Sequence, residues 1–249
     1  MGNDDTMINI KASLFDSTTD DTTVVCDLLR ASTTITVALH NFACVIPVNT
    51  ADEAFEIKDS LDSVTLAGED DLNNIPGFDL SNSPTGILKI KDKDVLVLKT
   101  SNGTKVLEGI KQRDPDIKVL VGTSINAKSV AAKALELCDH EIELIMAGRR
   151  HIFNIEDAIG VGLIMEEIKK QAKDQNISIH MEESAKAVYL LAEDHKRAVD
   201  LIRHSDASVR LNKRDFHDDL ILASRINICS NVGIYDNKEI YNINNKWEE

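Results

Sequence analysis

Short runs of β-branched and apolar residues alternate along this chain with longer segments whose apolar positions recur at helical spacing. Thr22 to Cys26 reads as a strand leading into a helical pattern from Ala31 to Asn41. Ala43 to Val48 is the next strand, followed by a helix over Thr50 to Leu61 whose first turn Thr50 or Asp52 can cap. Ser63 to Ala67 reads as a third strand. The pattern then breaks. Gly68 to Gly86 is rich in Gly, Pro, Asn and Asp and holds no period, which predicts a long loop of the kind that often carries function. Regularity returns with a strand at Asp94 to Lys99, a polar turn, a strand at Ile117 to Val121, a helix from Ile125 to Cys138, a strand at Glu141 to Met146 and a helix from Ile155 to Lys173.

Such alternation predicts an α/β protein: a mostly parallel sheet with helices on both faces, in three α/β/α layers. From about Ile177 helical patterns dominate (Ser184 to His195, His195 to His204, Asp215 to Arg225), and the final segment is Asn-rich and polar. There is no Ser/Gly linker and no fixed-period repeat. The expectation is one domain over 1–249 with a helical C-terminal part at about 177–249.

Composition narrows the classes of function. No apolar run approaches the roughly 20 residues of a membrane helix, and the start, Met1-Gly2-Asn3-Asp4-Asp5, carries acid where a secretory signal carries Lys or Arg. A cytoplasmic protein without a membrane partner is expected. The net charge of −14 opposes binding to nucleic acid. The four cysteines are scattered, and no two of the seven histidines fall at HxH or HxxxH spacing, which argues against a disulfide framework or a zinc site. A small anionic substrate stays compatible, because a local Arg, backbone N–H groups or a metal ion can hold an anion whatever the bulk charge.

Five polar blocks each follow a strand. The first, Asp27-Leu28-Leu29-Arg30-Ala31-Ser32-Thr33-Thr34, places a carboxylate, a guanidinium and hydroxyls at a strand end where a helix begins. Open α/β sheets bind ligands at that edge. Arg30 can grip a phosphate and Asp27 can ligate a hard cation; equally, Ser32 or Thr33 can cap the helix while Arg30 pairs with Asp27. Gly68-Glu69-Asp70-Asp71 with Gly77 to Pro84 brings acids that suit Mg²⁺, though loop acids are usually solvated. Thr100 to Thr104 is either an ordinary Asn-Gly turn or a nest of backbone donors. Gly122 to Ala127 is compatible with simple capping. Ala147 to Asp157 ends the set with Arg149, Arg150 and His151, then Asn154 as a natural N-cap and Glu156 and Asp157 in the dipole-favoured first turn. The edges of a mostly parallel sheet converge, so one shared anion-and-metal site is expected rather than five unrelated turns.

The strings VVCDLLRASTTI, AGED, GFDLSNSP, TSNGT, GTSINA and AGRRHIFNIEDAIGVG, spanning about residues 22 to 165, resemble in order the motif blocks of the 2-phosphosulfolactate phosphatase family. The resemblance implies Mg²⁺-dependent hydrolysis of (2R)-2-phospho-3-sulfolactate to 3-sulfolactate and phosphate, within coenzyme M biosynthesis. Carried onto this chain, it implies that Asp27, Glu69 and Asp79 hold Mg²⁺. Asp27, Arg30 and Glu69 would then be catalytic, with Ser32, Thr33, Asn82, Ser83, Ser101, Asn102, Gly103 and Thr104 around the substrate. Asp70 and Asp71 depart from the family pattern, which has Arg and then Gly there; Arg149 or Arg150 can supply that cation. A phosphatase of the same fold acting on another small phosphorylated acid, or a non-catalytic anion-binding module, are the rival readings. A homodimer is the default expectation for such an enzyme.

Overall fold

The computed structural model describes residues 7–90, 93–100 and 102–244. Eleven strands among them form one mixed sheet: β1 (Ile8–Leu14), β2 (Thr22–Cys26), β3 (Phe42–Val48), β4 (Val64–Asp70), β5 (Asn73–Asn74), β6 (Lys93–Lys99), β7 (Lys118–Val121), β8 (Glu141–Met146), β9 (Ile179–Met181), β10 (Gly233–Asp236) and β11 (Glu239–Asn242). Ten helices accompany them: α1 (Ala31–Ala38), α2 (Ala51–Ser60), α3 (Pro84–Ile87), α4 (Gly103–Arg113), α5 (Ala127–Leu137), α6 (Ile155–Asp174), α7 (Glu183–Ala192), α8 (His195–His204), α9 (Asp206–Asn212) and α10 (His217–Ala223). Among the described residues no helix is long and apolar enough to cross a membrane.

Strand order is β5-β4-β6-β3-β11-β10-β7-β2-β8-β1-β9. Two blocks are internally parallel, β4-β6-β3 and β7-β2-β8-β1-β9. Between them lies the β10–β11 hairpin, antiparallel to β7 on one side and to β3 on the other. The expected mostly parallel sheet is therefore a mixed one. Residues 233–242, expected within a helical C-terminal part, instead form two strands that fill the middle of the sheet. The hairpin also reverses one block relative to the other. Twist of about 20–25° per neighbouring pair, accumulated over the five steps from β2 to β6, turns the reversed block by roughly 100°. That rotation lets the C-terminal ends of β4 and β6 approach that of β2.

β2 lies between β7 and β8 and is buried on both faces, in keeping with its β-branched and apolar residues. Its residues alternate between two cores. Val24 and Cys26 pack with α5, α6, α7 and α8, whereas Val25 joins Ile35 of α1, Leu107 and Ile110 of α4, and Leu96 and Leu98 of β6. A third cluster, Val48, Leu66 and Val97 with Ala54 of α2, covers the outer face of the smaller block. Thr50 caps α2 in a capping box with Glu53, as its position suggested. At Gly68 (φ +154°) a Cβ would lie 2.7 Å from the Lys99 carbonyl oxygen, so only glycine lets β4 turn into the site there.

Candidate active site

A crevice opens where β2, β4, β6 and β8 end. Its walls include Asp27 and Arg30 after β2, Glu69 on β4, Asn102 after β6, Arg149 and Arg150 after β8, and Arg210 on α9. Four of the five polar blocks thus meet. The fifth does not: Thr123 bonds Thr33, Ser124 donates to the Ala223 carbonyl, and Asn126 closes its own turn and reaches the Asn231 carbonyl.

Asp27 is almost fully buried at the crevice floor. Burial first, and then the negative charge of Glu156, push its pKa up to about 7, against the pull of the Ala31 and Gly103 N–H groups. Asp157 lies behind it, accepting from Leu28 N at 2.8 Å and Gly148 N at 2.9 Å and so tying the β2–α1 turn to the β8–α6 turn. Burial, together with Asp27 and Glu156, raises Asp157 well above the usual carboxylate range. Glu156 and Glu69 are raised by burial too, the latter opposed by Arg30. Four carboxylates are thus crowded into one low-dielectric volume.

Arg30 is the cation inside this group, though not as the free fork the sequence suggested. One terminal nitrogen donates to Glu69 Oε2, the other to Asp219 Oδ2 at 2.8 Å, and the guanidinium lies over the Phe216 ring, 4.0 Å from its centroid. The expected pairing with Asp27 is replaced by these two. Asp219 of α10, almost fully buried, also accepts from Ser83 Oγ at 2.8 Å and from Thr85 Oγ1 at 2.6 Å. One carboxylate therefore fastens the first motif block, the Asn82-Ser83-Pro84 block and the C-terminal helices together.

Of the residues assigned to substrate, Asn82 and Asn102 line the crevice. The Asn82 Oδ1 is buried with no hydrogen-bond partner among the described residues. Asn102 Oδ1 accepts from Arg150 N at 3.3 Å. Gly103 presents its N–H to Asp27, and a Cβ there would sit 3.5 Å from Asp27 Oδ2. The hydroxyls are otherwise engaged. Ser32 Oγ accepts from Asp27 N, Thr33 Oγ1 donates to the Leu28 carbonyl, Thr104 pairs with Thr100, and Ser83 caps α3. They build the frame and do not reach the crevice. Ser101 lies outside the described residues. Asp79 is the one expected metal ligand placed elsewhere: its carboxylate accepts from Leu66 N at 2.8 Å, sits 3.6 Å from Lys58 and does not line the crevice.

Four residues escaped the sequence reading. Glu156 and Asp157 were assigned to the helix dipole, a role their first-turn position fits equally well. Arg210 and Asp219 belong to a region with no motif and become visible only through the fold.

Fold and crevice together define an α/β protein with a charged crevice at its strand ends. Comparison with known proteins names its kind. Residues 8–238 match the model of the 2-phosphosulpholactate phosphatase family. A 2-phosphosulfolactate phosphatase of Methanothermobacter thermautotrophicus is 40% identical over 212 residues, 85% of each chain. A probable 2-phosphosulfolactate phosphatase of Clostridium novyi is 35% identical over 220 residues, 86% of this chain and 81% of that one. The chain belongs to the 2-phosphosulfolactate phosphatase family.

Proposed function

We infer that this protein hydrolyses the phosphate ester of 2-phospho-3-sulfolactate, releasing 3-sulfolactate and phosphate, with Mg²⁺ as cofactor and as a step of coenzyme M biosynthesis. The observation that carries the reading is the surplus of buried carboxylate around Asp27. Crowding of this kind is costly unless protons or a cation relieve it.

The donors fit Mg²⁺. Asp27 and Glu69 both face the crevice, and the Asn82 Oδ1 is a buried acceptor in want of a partner. Among the described residues no three His, Cys, Asp or Glu side chains form a ready cage. Mg²⁺ does not need one, since it takes one or two carboxylates and completes its shell with water and substrate oxygens. When bound, it supplies neutralising charge at the transferring phosphoryl group.

The chain's own groups do the rest. Asp27 and Glu69 fix the charge centre at the crevice floor. Arg30, held between Glu69 and Asp219, keeps a positive charge aimed at the same point, with only two of the five guanidinium donors spent. Gly103 holds Asp27 in place, Asn102 orients the ester, and attack by water on phosphorus breaks the P–O bond to the sulfolactate oxygen, which takes up a proton from that water. Phosphate release from racemic 2-phosphosulfolactate, by wild type and Asp27→Ala, each with Mg²⁺ and with EDTA, tests the reading. Release by wild type that needs both Mg²⁺ and Asp27 is expected; none from folded wild-type protein refutes it. An aspartyl-phosphate trapped on Asp27 would refute direct attack by water.

A further inference from the structure

The crevice has two poles. At the floor stand Asp27 and Glu69 with Glu156 and Asp157 behind them, and the cation among them, Arg30, is already held between two carboxylates. The other cations at the walls divide differently. Arg149 is paired with Asp71 at 2.6 Å. Lys99, at the end of β6 but not itself lining the crevice, is bonded to the Glu69 carbonyl at 2.9 Å and to Asp70 at 3.1 Å. Arg150 has only a loose contact with Asp71, at 3.8 Å, and its side chain is 70% exposed. Arg210, half-buried on α9, makes no ion pair among the described residues. Arg150 and Arg210 both line the crevice, brought there by the β8–α6 turn and the C-terminal helices. Glu156 feels the charge of Arg210, but no carboxylate among the described residues closes on it at ion-pair distance, and a half-buried guanidinium so placed keeps donors for an anion.

We propose that Arg210, assisted by Arg150, is the specificity residue that holds the sulfonate of the substrate, the acidic floor being left to the phosphate end. This rests on the function proposed above. The allocation follows from chemistry. Phosphate and carboxylate are basic oxygen donors suited to a hard cation at the floor. A sulfonate is a feebly basic anion whose three oxygens suit a planar guanidinium fork. Arg210 touches no reacting atom in this scheme, so it acts on binding and on the choice of substrate.

Three substrates separate the anions: 2-phosphosulfolactate, 2-phospholactate, which lacks the sulfonate, and O-phosphoisethionate, which lacks the carboxylate. With Arg210→Gln, KM is expected to rise about 10- to 100-fold for both sulfonates, with kcat within about twofold, and to stay within about twofold for 2-phospholactate. Arg210→Lys should fall between, since it keeps the charge and loses the fork. A rise in KM as large for 2-phospholactate as for the sulfonates would overturn the assignment, as would unchanged KM for all three. A second arm needs no turnover. Calorimetric binding of 3-sulfolactate in Mg²⁺ should weaken at least about tenfold in Arg210→Gln while binding of lactate is unchanged; equal weakening of both refutes the proposal. If wild type releases no phosphate from any of the three, the proposed function falls, and the binding arm alone decides on Arg210.

Discussion

β2 is five residues long and carries an aspartate at each end, Asp21 before it and Asp27 after it, both almost fully buried. Their surroundings differ: Asp21 has the Lys118 ammonium at 3.6 Å and the Cys138 thiol and Thr22 hydroxyl as donors, none of which Asp27 has. Asp21 Oδ2 accepts from three successive backbone N–H groups, those of Asp139, His140 and Glu141, at 2.7–2.9 Å, where β8 begins. Burial would raise its pKa, but those N–H groups bring it down to about 2. At Asp27 burial first, and then the charges of Glu156 and Glu69, outweigh the donors of Ala31 and Gly103, and it stands at about 7. The same residue type, shielded from solvent at both ends of one strand about 20 Å long but deeper in the protein at Asp27, is a staple at one end and a strained charge at the other. Burial of a carboxylate therefore does not mark function; burial with fewer donors than charges does.

The most severe test of that contrast is to remove each charge. Asp27→Asn is expected to lower kcat by on the order of 10³-fold or more. In EDTA it should also raise unfolding stability by about 1 kcal/mol, because a repelled charge is gone. A loss of activity accompanied by a loss of stability would mean that Asp27 is a staple like Asp21. Denaturant unfolding beside phosphate-release kinetics reads both.

Asp219→Ala comes next. It removes the partner of Arg30, Ser83 and Thr85 at once, leaving a buried guanidinium half-paired, at a cost of about 3–5 kcal/mol. Since Arg30 is then misplaced, kcat should fall roughly 10- to 100-fold. Asp219→Asn keeps the hydroxyl acceptors and should recover part of the stability while activity stays low. Equal recovery of both would make Asp219 structural alone.

Asp21→Asn should cost about 2 kcal/mol and leave kcat and KM within about twofold. The pH dependence follows by sign. The folded pKa lies below the ordinary 3.8, so the contribution is complete above pH 3.8 and is lost as pH falls toward about 2. The wild type should thus lose its advantage over the variant in that window. A constant difference from pH 5 to pH 2 would show that the carboxylate's charge is not what holds the end of β8.

How much of this could be read beforehand depended on whether the signal was local. The βα units from Thr22 to Lys173 were legible because each strand and helix carries its own period. α4 was read as a polar turn because Asn102-Gly103 signals one, yet Val106, Leu107 and Ile110 bury a helical face. The β10–β11 hairpin was lost for a different reason. Its strands are four residues each, and its turn at Asn237-Lys238 has φ of +49° and +68°, for which Asn is a fair signal and Lys a poor one. Its place is fixed by distant contacts: Asn231 donates to the Thr36 carbonyl and Asn242 Nδ2 to Asn231 Oδ1. In the site, Asp27, Arg30, Glu69, Asn82 and Asn102, which the motif blocks named, line one crevice because those blocks lie in contiguous strings near strand ends or helix starts. The hydroxyls were over-assigned because Ser and Thr at such turns satisfy the backbone as readily as a ligand. Arg210 and Asp219 had no local signal, as their meaning depends on where α9 and α10 dock.

The smallest expected effect bears on the same lesson. Asp79 was assigned to the metal through the resemblance, yet its carboxylate is about half exposed, occupied by Leu66 N and Lys58, and does not line the crevice. An exposed carboxylate with donors and a neighbouring lysine is already relieved of its charge, the condition found at Asp21 and missing at Asp27. Asp79→Ala should therefore cost at most about 1 kcal/mol and leave the Mg²⁺ concentration for half-maximal activity within about twofold. A tenfold rise in that concentration would return Asp79 to the metal and would break the contrast, since a well-satisfied acid would then serve the site as readily as a crowded one.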